Sequence, residues 1–221
     1  MEGLIIRQAN INDVPFLVET IIEAEKSGTD ILSYSTIFGL TTEEIRKYIA
    51  DMLLEEIDGC ELSISSFMVG EVNRKVVAAL SGWVEGANEM SSSELKGNLL
   101  TYVLPKESIK RASAINPLLR EVHIDYIQGS IQKGAGYIIE EYRHKNIFGL
   151  LTSELINSLV KTNPDVSEIY TQIYGCNTPA IKANEKANFN SVMIKESANK
   201  EILRYLPSNK KILMKKELFT N

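Results

Sequence analysis

Arg143, His144 and Lys145 stand together in "EEYRHKNIFGLL" (residues 140–151), after a strand-like run and before a helix-like apolar pattern. A strand that ends in a tight loop and then a helix aims several unpaired backbone N–H groups at one spot, and the helix dipole adds to them. Such a spot holds phosphate oxygens well. His144 and Lys145 then read as phosphate-side charges. The same residues also fit an ordinary basic turn before a core helix. A second constellation is "EVHID", where strand alternation puts Glu121, His123 and Asp125 on one side. Histidine suits proton removal near neutral pH. A solvent-facing side of a half-wet strand is the other reading of that run. Glu85, in "GWVEG", is a further carboxylate. Like Asp125, it could serve as a base or hold a cationic acceptor.

The elements that must position these groups follow from periodicity. "GLIIRQA" predicts a first strand. A helix follows from about Asp13, with Val14, Leu17, Val18, Ile21 and Ile22 on one stripe, Asn12 as its cap and Gly28 at its end. Thr41 and Glu44 have capping-box spacing at the start of a second helix, which Gly59 closes. "SSFMVGEV" and "VVAALSGWVEG" predict two antiparallel strands around Asn73-Arg74-Lys75. Residues 87–118 interrupt the strands with two short helices separated at Pro105. That stretch is too short for its own core and reads as an insertion. "REVHIDYIQ" alternates as a strand, and a Gly-rich connection leads from it to the strand "GYII". After the loop come a helix with Ile147, Leu151, Leu155 and Leu159, the strand "SEIYTQIYG", and a helix capped by Asn177 with Pro179 in its first turn. "FNSVMIK" and "KKILMKKEL" predict two closing strands.

The chain has 221 residues, 44% hydrophobic and 24% charged, enough to bury a sizeable core. Its net charge of -5 gives no basic footprint for nucleic acid and leans weakly toward cationic partners. The apolar run near the N-terminus is too short for a signal-peptide core, and no window is long enough to span a membrane, so a cytoplasmic protein is expected. Cys60 and Cys176 have neither disulfide-framework nor metal-ligand spacing, and no metal is expected.

Three motifs in this order resemble the GNAT superfamily of acyl-CoA-dependent N-acyltransferases. "GYIIEEYRHKNIFGLLTSELI" is similar to that family's strand, pyrophosphate loop and helix. "NTPAIKANEKANF" is similar to its Asn-x-x-Ala…Glu-Lys-x-Gly-Phe helix. "FMVGEVNRKVVAALSGWVE" is similar to its second and third strands. The resemblance implies one mixed α/β domain over residues 1–221. Its central sheet would be mostly antiparallel, with helices on both faces and the 87–118 helical insertion between the third and fourth strands. It implies acetyl-CoA as co-substrate and direct acetyl transfer to a primary amine, with a small amine or lysine-like acceptor. Two-fold pairing through strands is frequent in the family, so a homodimer is open to it. Backbone N–H groups of Ile138 and Ile139 would orient the thioester. Arg143, His144, Lys145, Asn146, Ile147, Phe148 and Gly149 would form the loop, with Asn177 beyond it.

Four departures from the family pattern matter, one of them Asn188, which stands where the second motif has glycine. Asn146 replaces a loop glycine, but Asn tolerates positive φ. Phe148 replaces a glycine that lets backbone approach ligand, so its ring must point aside; Gly149 comes one residue late and relieves crowding. Asn184 stands where many members carry the tyrosine that protonates the departing thiolate, and an amide is no general acid. Tyr174 and Cys176 are nearby substitutes. These departures keep a second reading open, a non-catalytic acyl-CoA-binding sensor or interaction module on the same fold. A P-loop nucleotide-binding protein is the third reading, but neither the full GxGxxG nor a Lys-Ser/Thr ending is present.

Overall fold

A computed structural model describes residues 3–87 and 89–218 of the chain. Asn88, in the expected insertion, lies outside them. Seven strands form one sheet: β1 (Leu4–Gln8), β2 (Phe67–Val72), β3 (Lys75–Val84), β4 (Ile131–Ile138), β5 (Glu168–Tyr174), β6 (Asn190–Glu196) and β7 (Lys210–Glu217). Their order is β1-β2-β3-β4-β5-β7-β6. Every neighbouring pair is antiparallel except β4 and β5.

The helices divide between the two faces: α1 (Val14–Lys26), α2 (Ser33–Phe38), α3 (Thr42–Leu54), α4 (Ser92–Val103), α5 (Lys106–Leu119), α6 (Ile147–Thr162) and α7 (Thr178–Lys186). Alternation along β3 separates two cores, for Ala79 packs with the buried faces of α1 and α3, whereas Ala78 packs with Ile147, Leu151 and Leu155 of α6. A third cluster joins β5 and β7 to Phe189 and to Ala180 and Ile181 of α7.

Local signals explain most boundaries. Thr41 and Glu44 make the expected reciprocal cap of α3. Asn73 and Arg74, at φ 51° and 63°, make a two-residue turn between β2 and β3. That twist matches the flanking strands. At α1 the cap lies two residues earlier than expected. Asn10 accepts the Asn12 N–H at 2.9 Å in a short 3-10 turn, Ile11–Asp13, that runs into the helix. Asp13 is held there by both terminal nitrogens of Arg7, at 2.7 and 2.9 Å. Helix α2 was not expected; six residues are too few to show a helical stripe.

The expected strand "REVHIDYIQ" is not one. Arg120–Val122 is a 3-10 turn, and the following residues are extended without a ladder. The alternation is real, since Val122 and Ile124 are buried while Glu121, His123 and Asp125 are exposed, but Gln172 Nε2 to the Ile124 carbonyl, 3.0 Å, stands in for sheet pairing. The fourth strand is instead the expected strand "GYII", begun earlier so that it takes in the run read as a Gly-rich connection. Its glycines answer to close packing. A Cβ at Gly134 would lie 2.6 Å from Ser81 Oγ, and one at Gly136 would lie 2.6 Å from the Phe148 ring.

The insertion is α4 and α5, as expected. Glu85, only 2% exposed, anchors it by accepting the Trp83 indole N–H at 2.8 Å and the Ser92 backbone N–H at 3.1 Å. Replacing Glu85 by Ala leaves both donors buried and unpaired. Chemical denaturation should therefore show a loss of about 1–3 kcal/mol.

Candidate active site

Strands β4 and β5 pair only through Ile131, Gln132 and Lys133, opposite Ile169, Tyr170 and Thr171. Beyond that rung they diverge, and Gly134–Ile138 have no strand partner on the β5 side. The backbone of Gly134–Ile138 is half-buried to exposed, so its N–H and C=O groups on that side are left for the cleft rather than for a ladder. Which groups face it follows from the other side. The Ile139 N–H is taken by the Val77 carbonyl at 3.0 Å. By alternation along the antiparallel β3–β4 pair, the N–H groups of Ile138 and Gly136 point into the cleft. Of the two expected backbone donors, Ile138 therefore faces the cleft, while Ile139 is spent on β3.

A cavity of about 530 Å³ fills the wedge, within the range of small-molecule sites. Ile138, Arg143, His144, Phe148 and Asn177 line it. The expected residues Ile139, Lys145, Asn146, Ile147 and Gly149 belong to the adjoining loop and first turn of α6. Two residues of that loop, His144 at φ 62° and Asn146 at φ 57°, are left-handed. The Asn146 side chain makes no cap hydrogen bond to α6, so the N–H groups of its first turn, Ile147, Phe148 and Gly149, open toward the loop. Arg143 Nε donates to the Ile138 carbonyl at 3.1 Å and ties the loop to its strand. Lys145 lies over the Tyr142 ring at 4.8 Å. Gly149 relieves crowding from Asn146, whose Oδ1 would be 2.6 Å from a Cβ there. Phe148 turns down onto Gly136 and packs with the α6 core, so its ring forms part of the cleft wall against β4.

Asn177 caps α7 by accepting the Ala180 N–H at 3.2 Å. One helical stretch on, Asn184 is 5% exposed and accepts a hydrogen bond from Lys133 Nζ. Lys133 is itself 5% exposed and lies 4.2 Å from the centre of the Phe189 ring and 5.6 Å from that of Phe148. Burial, with Lys216 adding like-charge repulsion, lowers its pKa to about 7. The sequence reading missed Lys133 because it sits in the run taken for a connection. A lone lysine within "SIQKGAGYII" was the available signal.

The opposite face of the wedge opens into a second cavity of about 460 Å³ between α2, α4, α5 and the sheet. Glu25, Tyr34, Lys96, Tyr174 and Lys211 line both cavities and form the waist between them. Glu25 accepts from Ser33 Oγ, and Lys96 pairs with Glu61, which also accepts from Tyr126 Oη. Burial pushes the Glu61 carboxyl up, but Lys96 and Tyr126 more than reverse it. Burial also lowers the pKa of Lys211 and raises that of Tyr174.

His123 lies on the rim of this second cavity, 3.1 Å from Asp125. Burial first, and then nearby Lys211, keep its pKa below the usual histidine value. Asp125, at 90% side-chain exposure, faces solvent. Glu85 lines neither cavity. Cys176 is exposed, its thiol pKa raised by burial of the sulfur, and lies 3.8 Å from the Ser27 carbonyl. Among the described residues, no cluster of metal-ligating side chains occurs and no helix is long and apolar enough to cross a membrane.

No protein-family model matches the sequence, and no curated protein does. Solved structures do match in fold. An N-acetyltransferase from Staphylococcus aureus Mu50 shares 16% identity at a TM-score of 0.64, over 96% of this chain and 100% of that one. A structure described as an acetyltransferase shares 12% identity at 0.63, over 97% and 100%. An acetyltransferase of the GNAT family from Streptococcus pneumoniae shares 14% identity at 0.52, over 98% and 99%. The likeness spans nearly the whole chain in each case, and the fold of this chain is that of the GNAT superfamily.

Proposed function

We propose that the chain, as one domain over residues 1–221, is an N-acyltransferase that moves an acetyl group directly from acetyl-CoA to a primary amine. The observation that carries this reading is the wedge between β4 and β5, closed at Lys133 and opening toward the uncapped start of α6. A pyrophosphate fits the loop by its N–H groups, the helix dipole and Arg143. An amide-bearing arm then runs along the open edge, where Ile138 and Gly136 offer N–H groups. The thioester comes to rest beside Gly136, whose N–H is placed to polarise its carbonyl. The acceptor enters from the other face through the cavity beneath α4 and α5. Glu25 at the waist is the carboxylate placed to receive its ammonium. His123, neutral at physiological pH, is the group on the rim that can take a proton from it.

Two substitutions test the donor side. Asn146→Gly preserves the left-handed loop and should leave CoA binding within about twofold. Asn146→Val places a β-branched residue at φ 57° and should weaken CoA about tenfold, read by calorimetry. On the acceptor side, Gly97 lines the second cavity, and a Cβ there meets nothing within 4 Å. Gly97→Phe should raise the KM for the amine several-fold while the Kd for CoA is unchanged.

The activity itself is tested by melting curves with acetyl-CoA, followed by release of free CoA thiol over a panel of amines. Stabilisation with thiol release supports acyl transfer. Stabilisation without release by any amine assigns the fold to a binding or sensing module, the reading favoured by Asn184 at the tyrosine position. Absence of stabilisation by any CoA ester rejects both.

A further inference from the structure

Lys133 is an anomaly in energetic terms. A buried ammonium without a carboxylate partner costs several kcal/mol, and such charges are ordinarily paired. Among the described residues no carboxylate lies within ion-pair distance of Lys133. Its hydrogen-bond acceptor is the Asn184 amide oxygen, and its other close neighbours are two aromatic rings. The one charged group acting on it is Lys216 on β7, which repels it. Packing does not explain a lysine here, since an apolar residue would fill the same space between Phe148 and Phe189.

Its place in the wedge does explain it. The open edge of β4, Gly134–Ile138, is five residues or roughly 16 Å long. A phosphate-anchored arm that starts at the loop runs toward the closed end, and a thioester beside Gly136 would lie under the Phe148 ring that packs there. Lys133 lines the same cavity, and its Nζ lies 5.6 Å from the centre of that ring, held by Asn184 on the α6–α7 side.

We propose that Lys133 is the proton donor to the departing thiolate, held in place by Asn184. The inference rests on the acyl-transfer reading above. As the amine nitrogen attacks the acyl carbon, the C–N bond forms and the C–S bond breaks, with its electron pair going to sulfur. The Lys133 ammonium gives that sulfur a proton, leaving a neutral lysine and a free CoA thiol. The product nitrogen loses one proton on the acceptor side, and Lys133 recovers one from solvent. The net reaction is amine plus thioester to amide plus thiol. Burial favours the transfer, because the lysine becomes neutral as it gives up its proton.

Two variants separate this role from a structural one. Lys133→Gln keeps an N–H donor for Asn184 but has no acidic proton. Lys133→Arg keeps the charge but does not release its proton at accessible pH. Both should retain the CoA-induced rise in melting temperature and lose about 100-fold or more in kcat. Wild-type kcat should fall as pH rises through about 7, where Lys133 loses its charge, and the variants should lack that limb. A kcat within threefold of wild type in either variant, or an unchanged alkaline limb, overturns the proposal. A wild-type protein that binds acetyl-CoA but releases no thiol with any amine overturns the acyl-transfer reading and this proposal with it. Variants that no longer melt cooperatively mark Lys133 as structural and count against it.

Discussion

Strands β4 and β5 run parallel for three residues and then part. A parallel pair cannot be closed by a short turn, so a crossover must carry the chain from one to the other. Here that crossover is the left-handed loop and α6, and the geometry brings the start of α6 over the end of β4. The gap, its unpaired edge and the helix terminus that faces it are thus one construction. Every antiparallel pair on either side holds the two diverging strands at a fixed angle. The cores on the two faces, built on alternate residues of β3, hold the sheet from above and below.

Much of this frame was legible from residue order. Apolar periodicity predicted α1, α3 and α6, and capping residues marked the start of α3 and α7. Position 146 was legible too, because asparagine is the side chain that best bears a left-handed backbone. What escaped depended on contacts distant in sequence. Gly134 looks like a loop residue locally, yet Ser81 and Trp83 leave no room there for a Cβ. A segment with perfect alternation, Val122 to Tyr126, failed to become a strand because β4 already fills the place beside β3 and β5. The partner of Ile139 was equally invisible, since which face of a strand its N–H groups serve depends on register with β3.

The candidate site shows the same division. The cleft between β4 and β5 was written in contiguous motifs and could be read as such. The second cavity is assembled from α1, α2, α4, α5 and the chain after it, β5 and β7, with no local signature. Charged groups there, Glu25, Glu61, Lys96 and Lys211, are far apart in the chain and meet only in the fold. Glu85 was singled out for its chemistry and proved to be an anchor, because a carboxylate beside a tryptophan and a helix start has donors to satisfy before it has reactants.

That anchoring has a consequence for how such a protein changes. Helices α4 and α5 are spliced into one connection of the sheet and fastened at their entry by Glu85, and they roof the second cavity without contributing a strand. Among the described residues, the cleft between β4 and β5 borrows from them only Lys96. The roof is in effect a separable part: substitutions in α4 and α5 can reshape the second cavity while the open edge of β4 and the start of α6 keep their geometry.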